Sequence, residues 1–146
     1  MQIVSAFLRP DTVTLFNSSP DGNKTKWRAT TLIRVRFEDG RAVRLARRGI
    51  ETQDTSTLLI DLRDYDSGGK AYVQADDWTR QADVDKDLSW TIKTEADFFI
   101  TRKVDTADLN LSKEELTKKY PVFSLTGLST KRADEGKPII LVAVAR

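Results

Sequence analysis

From Trp27 to Phe37, apolar and polar side chains alternate with a period of two, and this run constrains the fold more than any other feature of the chain. The odd positions read Trp27, Ala29, Thr31, Ile33, Val35 and Phe37; the even ones read Arg28, Thr30, Leu32, Arg34 and Arg36. Successive side chains of a strand point to opposite faces. The run therefore predicts a long strand with a buried odd face and a largely wet, basic even face. A shorter strand, Thr12 to Phe16, precedes it, with Asn17-Ser-Ser-Pro-Asp-Gly22 as the turn between them.

Further strands are predicted downstream. Thr57 to Leu62 carries Leu58, Ile60 and Leu62 on one side, Trp90 and Ile92 alternate, and Phe98 to Thr101 is aromatic and β-branched. Val122 to Thr130 and Ile139 to Val144 close the series, with Gly127 marking a bulge where the apolar face passes from Phe123 and Leu125 to Leu128. One helix is signalled over about 112–120. Ser112-Lys-Glu-Glu115 is a capping box, and Pro121 stops what it starts. About seven strands and one short helix predict a mainly β fold, a small single-domain barrel or sandwich spanning residues 1–146. Glu38 to Asp54 and Asp64 to Asp87 resist a strand reading and are expected to be long loops, where function tends to sit.

Composition narrows the chemistry. The 146 residues include 24 Lys plus Arg against 22 Asp plus Glu, so a general nucleic-acid coat, which needs a strong positive excess, is not expected. There is no Cys and no His, which removes thiolate and imidazole metal sites, cysteine nucleophiles and the usual neutral-pH base. Met1 to Leu8 lacks the basic flank of a signal peptide, and no stretch approaches the roughly 20 apolar residues of a membrane span. A soluble protein, intracellular at synthesis, is expected, and three glycosylation sequons at Asn17, Asn23 and Asn110 are read as chance.

Short motifs fail on inspection. Gly68-Gly69-Lys70 evokes a phosphate loop, but Asp64 stands where the first glycine belongs and Ala71 where Ser or Thr belongs. Ser67-Gly-Gly-Lys70 fits Ser-x-x-Lys, yet two glycines oppose the helix that motif requires. Asp64-x-Asp66 and Asp83-x-Asp85-x-Asp87 begin like calcium loops, but the twelfth positions are Ala75 and Thr94 rather than a bidentate acid. Glu95 and Asp97 read as a charged strand end rather than an acid–base pair. No catalytic, cofactor or metal residue is assigned, and no enzyme is expected.

Two charge clusters remain. Arg41, Arg44, Arg47 and Arg48 lie in a stretch with no acid between Asp39 and Glu51. A solvated face is the plain reading; contact with phosphate is the sharper one, since Arg suits bidentate phosphate binding. Asp76, Asp77, Asp83, Asp85 and Asp87 form an acidic counterpart. In a head-to-tail ring, opposite charges on two surfaces help set the register between neighbours, so these five are candidate subunit-interface charges.

The order of features along nearly the whole chain resembles a known family. Arg9-Pro-Asp-Thr-Val-Thr-Leu-Phe-Asn17 opens it, followed by Trp27 to Phe37, a loop with Gly49, Asp54-Thr-Ser-Thr-Leu-Leu-Ile-Asp61, and Ser67-Gly-Gly-Lys-Ala-Tyr-Val73 with Trp78. Trp90-Thr-Ile92, Asp97-Phe-Phe-Ile100 and a strand pair split at Ala133 to Lys137 complete it. The chain thereby resembles the head-closure, or stopper, proteins of the siphophage neck, departing from them in its richer arginine loop and longer helix-to-strand tail. The resemblance implies a virion head–tail connector, made in the host cytoplasm, that forms a sixfold or twelvefold homo-oligomeric ring between portal or adaptor and tail. It further implies that the loop 38–54 faces the lumen near packaged double-stranded DNA. A tail terminator or adaptor of the same neck is the nearest rival. From another class comes a monomeric nucleic-acid-binding β-barrel using Trp27, Phe37 and the arginines; a carboxylate hydrolase is a third reading.

Overall fold

The alternation from Trp27 onward does form a strand, but its buried face changes partway along. The computed structural model describes residues 10–40, 55–132 and 138–146. There β1 (Asp11–Asp21) and β2 (Lys24–Glu38) pair as a long antiparallel hairpin. Arg34 has φ +63°, and the register shifts so that Asp11 faces Val35 while Thr12 faces Ile33. Arg34 is thus the extra residue of a bulge, and a bulge exchanges the parity that faces inward. Before it Arg28, Thr30 and Leu32 are buried; after it Val35 is buried and Phe37 packs on the core. The expected single odd buried face is corrected accordingly: Ile33 is 42% exposed and Arg28 only 7%.

The expected turn at Asn17 to Gly22 is also shorter than the sequence suggests. β1 runs on to Asp21, which pairs with Lys24, leaving only Gly22 and Asn23 as the loop. Gly22 has φ +64°, at the first loop position where two-residue hairpins favour glycine. Asn17 and Ser19 stay in the strand because their side chains are buried and bonded inside the molecule.

Four more strands complete the barrel: β3 (Ser56–Asp61), β6 (Phe98–Ile100), β7 (Val122–Arg132) and β8 (Pro138–Ala145). The closed order is β1-β2-β3-β8-β7-β6, which leaves no free sheet edge around the ring of strands. The register of β7 on β8 shifts between Leu125 and Gly127, the bulge expected at that glycine. The interior is filled by Val13, Leu15, Leu32, Leu58, Ile60, Trp90, Phe99, Phe123 and Leu141. All three residues of β6 are buried because both faces are covered: Phe99 faces the interior, Phe98 and Ile100 a second core outside it.

That outer core is roofed by the chain from Thr101 to Pro121. It holds a 3-10 turn (Thr106–Asp108) and the expected helix, Lys113–Lys119, capped by Ser112 and Glu115. Phe16 stacks on Phe98 at 4.7 Å and Trp27 meets Phe98 edge-on at 4.9 Å. The tyrosine after the helix ties the roof down: Tyr120 Oη donates to Asp108 Oδ2 at 2.5 Å and Lys119 Nζ to Oδ1 at 3.0 Å.

The segment 64–87, expected as a long loop, contains β4 (Ala71–Tyr72), parallel to β5 (Ser89–Trp90), and two short helices, α1 (Ala75–Arg80) and α2 (Asp83–Asp87). The Lys113–Lys119 helix is α3. Neither α1 nor α2 has a side-chain N-cap, and both are too short to show helical periodicity.

Candidate functional site

At the hairpin end of β1 and β2 the inward-facing positions turn polar: Asn17, Ser19 and Arg28 replace the Leu and Val of the middle. Arg28 is the anchor for α2. Its Nε donates to Asp87 Oδ1 at 2.8 Å, Nη1 to Ser19 Oγ at 2.6 Å, and Nη2 to Asp83 Oδ1 at 3.4 Å. The guanidinium beside Asp87 holds that carboxyl below its ordinary range.

Asp97 is the second hub. It is buried and accepts from Asn17 Nδ2 at 2.8 Å, Ser18 N at 3.0 Å, Ser18 Oγ at 3.1 Å and Lys93 N at 3.1 Å. Burial pushes its carboxyl above the usual range, partly offset by those donors, and pushes the Lys93 ammonium below its own. Lys93 Nζ donates to the Ser18 carbonyl, stands 3.7 Å from Asp97 Oδ1 and lies 4.7 Å above the buried Trp78 ring, which Lys86 also approaches at 5.5 Å. Every charge here faces a donor, an acceptor, an opposite charge or a π-face, and that is how polar groups are retained in an interior. The arrangement fastens the α1–α2 segment to the barrel.

The remaining motifs resolve as turns and braces. Gly68 and Gly69 have φ +70° and +88°, Gly68 N donates to Asp66 Oδ1, and Lys70 Nζ turns back to the Ala29 carbonyl at 3.0 Å and Thr30 Oγ1 at 3.2 Å. Glu95 is exposed at φ +68° in a turn, apart from the donors that surround Asp97, so the segment is not the extended strand end expected. Among the described residues no three acidic side chains gather as a metal cage. An open groove of about 590 Å³ lies on the outer face of the hairpin, lined by Pro10, Thr12, Thr31, Ile33, Arg102 and Lys103 among others.

Arg41, Arg44, Arg47 and Arg48 lie outside the described residues, but both ends of their segment are placed. β2 and β3 pair through Arg36 with Leu59, Phe37 with Leu58 and Glu38 with Thr57. Just beyond, a Cβ built on Gly40 would fall 1.6 Å from the Thr55 carbonyl oxygen, so only glycine permits that approach. Of the arginines expected on the wet, basic face of the long strand, Arg28 is internal, Arg34 Nε pairs with Asp64 at 3.4 Å, and Arg36 is exposed.

The five candidate interface acids divide. Asp83 and Asp87 hold Arg28, Asp77 pairs with Arg80 at 3.6 Å, and Asp76 and Asp85 are exposed with no ion pair among the described residues. Between them Val84 and Leu88, one turn apart, are each 65% exposed, the most exposed large apolar side chains among the described residues. The pair was not legible in the sequence, because two apolar residues four apart in an acidic run are too few to establish a helical face.

Among comparisons with known proteins, the profile of a family described as a family of unknown function (DUF6751) matches residues 8–141. No curated protein and no solved structure matches.

Proposed function

The chain belongs to DUF6751, a family of unknown function, and we propose that it is a non-catalytic structural protein of a tailed-phage virion, a ring subunit at the head–tail interface. In this reading the ring closes the DNA-filled head and offers a docking surface to the tail. One observation carries it: a closed barrel with an apolar interior grips the two ends of a long arginine-bearing segment side by side, at Gly40 and Thr55. A closed barrel that holds the two ends of a basic segment together suits a ring that lines a DNA channel. The described polar clusters support it further, since their charges are spent on internal fastening.

A monomeric nucleic-acid barrel receives less support. It would need Trp27 and Phe37 as stacking platforms. Trp27 instead packs on Phe98, and Phe37 sits 5.8 Å from Phe99 and 4.9 Å from Phe123.

Native mass spectrometry of the protein with and without the products of neighbouring genes tests the proposal. A ring-sized species joining portal or adaptor subunits is expected. A strict monomer that joins no such assembly but forms a salt-sensitive nucleic-acid complex would refute it.

A further inference from the structure

The register that hides Leu32 leaves the other parity of the hairpin outside. Up to Arg34 the even residues of β2 face the interior, so Thr31 and Ile33 face outward, and Thr12, paired with Ile33, shares their face. This outer face is flanked on both sides. β1 pairs with β6, whose chain leaves as Thr101-Arg102-Lys103, and on the other side Ile33 is bridged to Asp66. The result is the groove of about 590 Å³, lined by an Ile33 that is 42% exposed. The acids of the groove are engaged and its bases are not. Asp11 Oδ2 accepts from Phe37 N and Asp66 Oδ1 from Gly68 N, each at 2.8 Å. Arg102, its guanidinium 4.5 Å from the centre of the Tyr120 ring, and Lys103 are exposed and make no ion pair among the described residues.

α2 offers the converse shape and charge. Its one lysine, Lys86, is buried against Trp78, and Arg28 draws on Asp83 and Asp87. Val84, Leu88 and the ion-pair-free Asp85 are left exposed. Val84 and Leu88 are four residues apart and so neighbours on the helix surface. Together with Ile33 they are the large apolar side chains exposed among the described residues, so one convex and one concave site hold all of them. One helical turn, about 5.4 Å long and 10 Å across, displaces roughly 420 Å³, which the groove accommodates. The two sites do not cover each other within one chain, since Ile33, Val84 and Leu88 all remain exposed. Arg28, which holds α2, stands roughly 16 Å along β2 from Ile33. Complementary surfaces at separate places on one chain make a head-to-tail contact, which closes into a ring when the rotation permits.

We propose that Val84 and Leu88 of one copy, with Asp85, dock into the Ile33 groove of a second copy beside Arg102 and Lys103. The inference deepens the ring reading and rests on it for its biological setting, while the contact itself is testable alone.

The chain has no cysteine, so single-cysteine variants report without background. Val84→Cys and Thr31→Cys full-length proteins keep Leu88 and Ile33 as anchors. They are mixed at about 0.5 mM, where a contact with a Kd of about 1 mM is populated, and oxidised mildly. A disulfide-linked dimer of the two is expected, with a yield well above that from Val84→Cys paired with Thr117→Cys on exposed α3. Ile33→Asp in the Thr31→Cys partner should bring the yield down to that control. Lys103→Glu in the same partner, a change at an exposed site, should cut the yield about threefold, and Asp85→Lys in the other partner should restore it. The doubly substituted Val84→Cys, Thr31→Cys protein should give a ladder of oligomers rather than an internally bridged monomer. A yield no higher than the Thr117 control, a yield indifferent to both groove substitutions, or an internal bridge in the double variant overturns the proposal. Cross-linking failure in a protein that still joins the neck removes only this contact. Cross-linking by a protein that joins no neck removes only the virion reading.

Discussion

Asp97→Ala is expected to be among the most damaging single substitutions in the barrel, and the reason lies in which donors it strands. Ser18 N and Lys93 N each donate to this carboxylate, one to each oxygen. Asn17 Nδ2 also donates to it but retains the Thr91 carbonyl at 2.7 Å, and the Ser18 hydroxyl can rotate. Two backbone N–H groups thus lose their partner, at about 1–3 kcal/mol each. Lys93 keeps the Ser18 carbonyl and the Trp78 face but loses its counter-charge. Against this, alanine relieves the cost of an ionised carboxylate in a buried site. The net loss expected is about 3 kcal/mol, a large part of the 5–15 kcal/mol typical of a domain. Urea unfolding at pH 7, followed by tryptophan fluorescence, should show the midpoint falling by about 2 M for a slope near 1.5 kcal/mol/M. Asp97→Asn discriminates further, because its single carbonyl oxygen can serve only one of the two backbone donors; it should cost about 1–3 kcal/mol. A loss below about 1 kcal/mol for Asp97→Ala, or a neutral Asp97→Asn, would refute this account.

The acid response should separate two carboxylates of opposite sign. Tyr120 Oη and the Lys119 ammonium hold Asp108 below the ordinary range, so its stabilisation is present above the unfolded value near 3.9 and lost as pH falls through the lower folded value. Asp97, raised by burial, contributes in the other direction: its share is present below the unfolded value and lost as pH rises through the folded one. Asp108→Asn should therefore lower stability at pH 7 and converge on the parent in acid, a trend that denaturant titrations across pH would read; a gap independent of pH would count against it. Gly40→Ala should cost about 1–3 kcal/mol, because its Cβ meets the backbone of Thr55 rather than a movable side chain, and an unchanged melting temperature would show that the rim is not clamped there. Under the proposed virion role, replacing Arg44, Arg47 and Arg48 together with Ser should leave the melting temperature unchanged while filled heads leak DNA or fail to join tails; full DNA retention and infectivity would remove the segment from that role.

Much of the barrel was legible because its strands obey local rules. Thr57 to Leu62 and Ile139 to Val144 alternate or run apolar, Gly127 marked its bulge, and the Ser112–Glu115 box located α3. The reversal at Arg34 was not legible, because the parity of β2 is set by its pairing with β1 and not by its own pattern. The same holds for the polar end. Arg28 reads as a surface charge until residues 55 and 59 positions away close on it, and Asp97 reads as a strand-end acid until Asn17 and Ser18 arrive. Polar residues in a core reveal themselves through partners distant in sequence. Asn17-Ser-Ser19 was a signal of that kind, mistaken for a turn because the same residue types favour both.

What the polar end contributes is register. β1 and β6 pair over only three residues, Thr14 to Phe16 with Phe98 to Ile100. On such a short ladder, a slip of one residue would exchange Phe98 with Phe99 between the inner and outer cores, and both sites are apolar. Hydrophobic burial alone would discriminate weakly between the two arrangements. Asn17, Ser18 and Asp97 discriminate strongly, because a slip would pull a buried carboxylate off the Ser18 N–H, the Ser18 hydroxyl and the Asn17 amide. By the same logic Arg28 fixes α2 on its acid-bearing side, and that leaves Val84 and Leu88 facing away from the barrel. The internal ion pairs thus determine which side of α2 the molecule exposes.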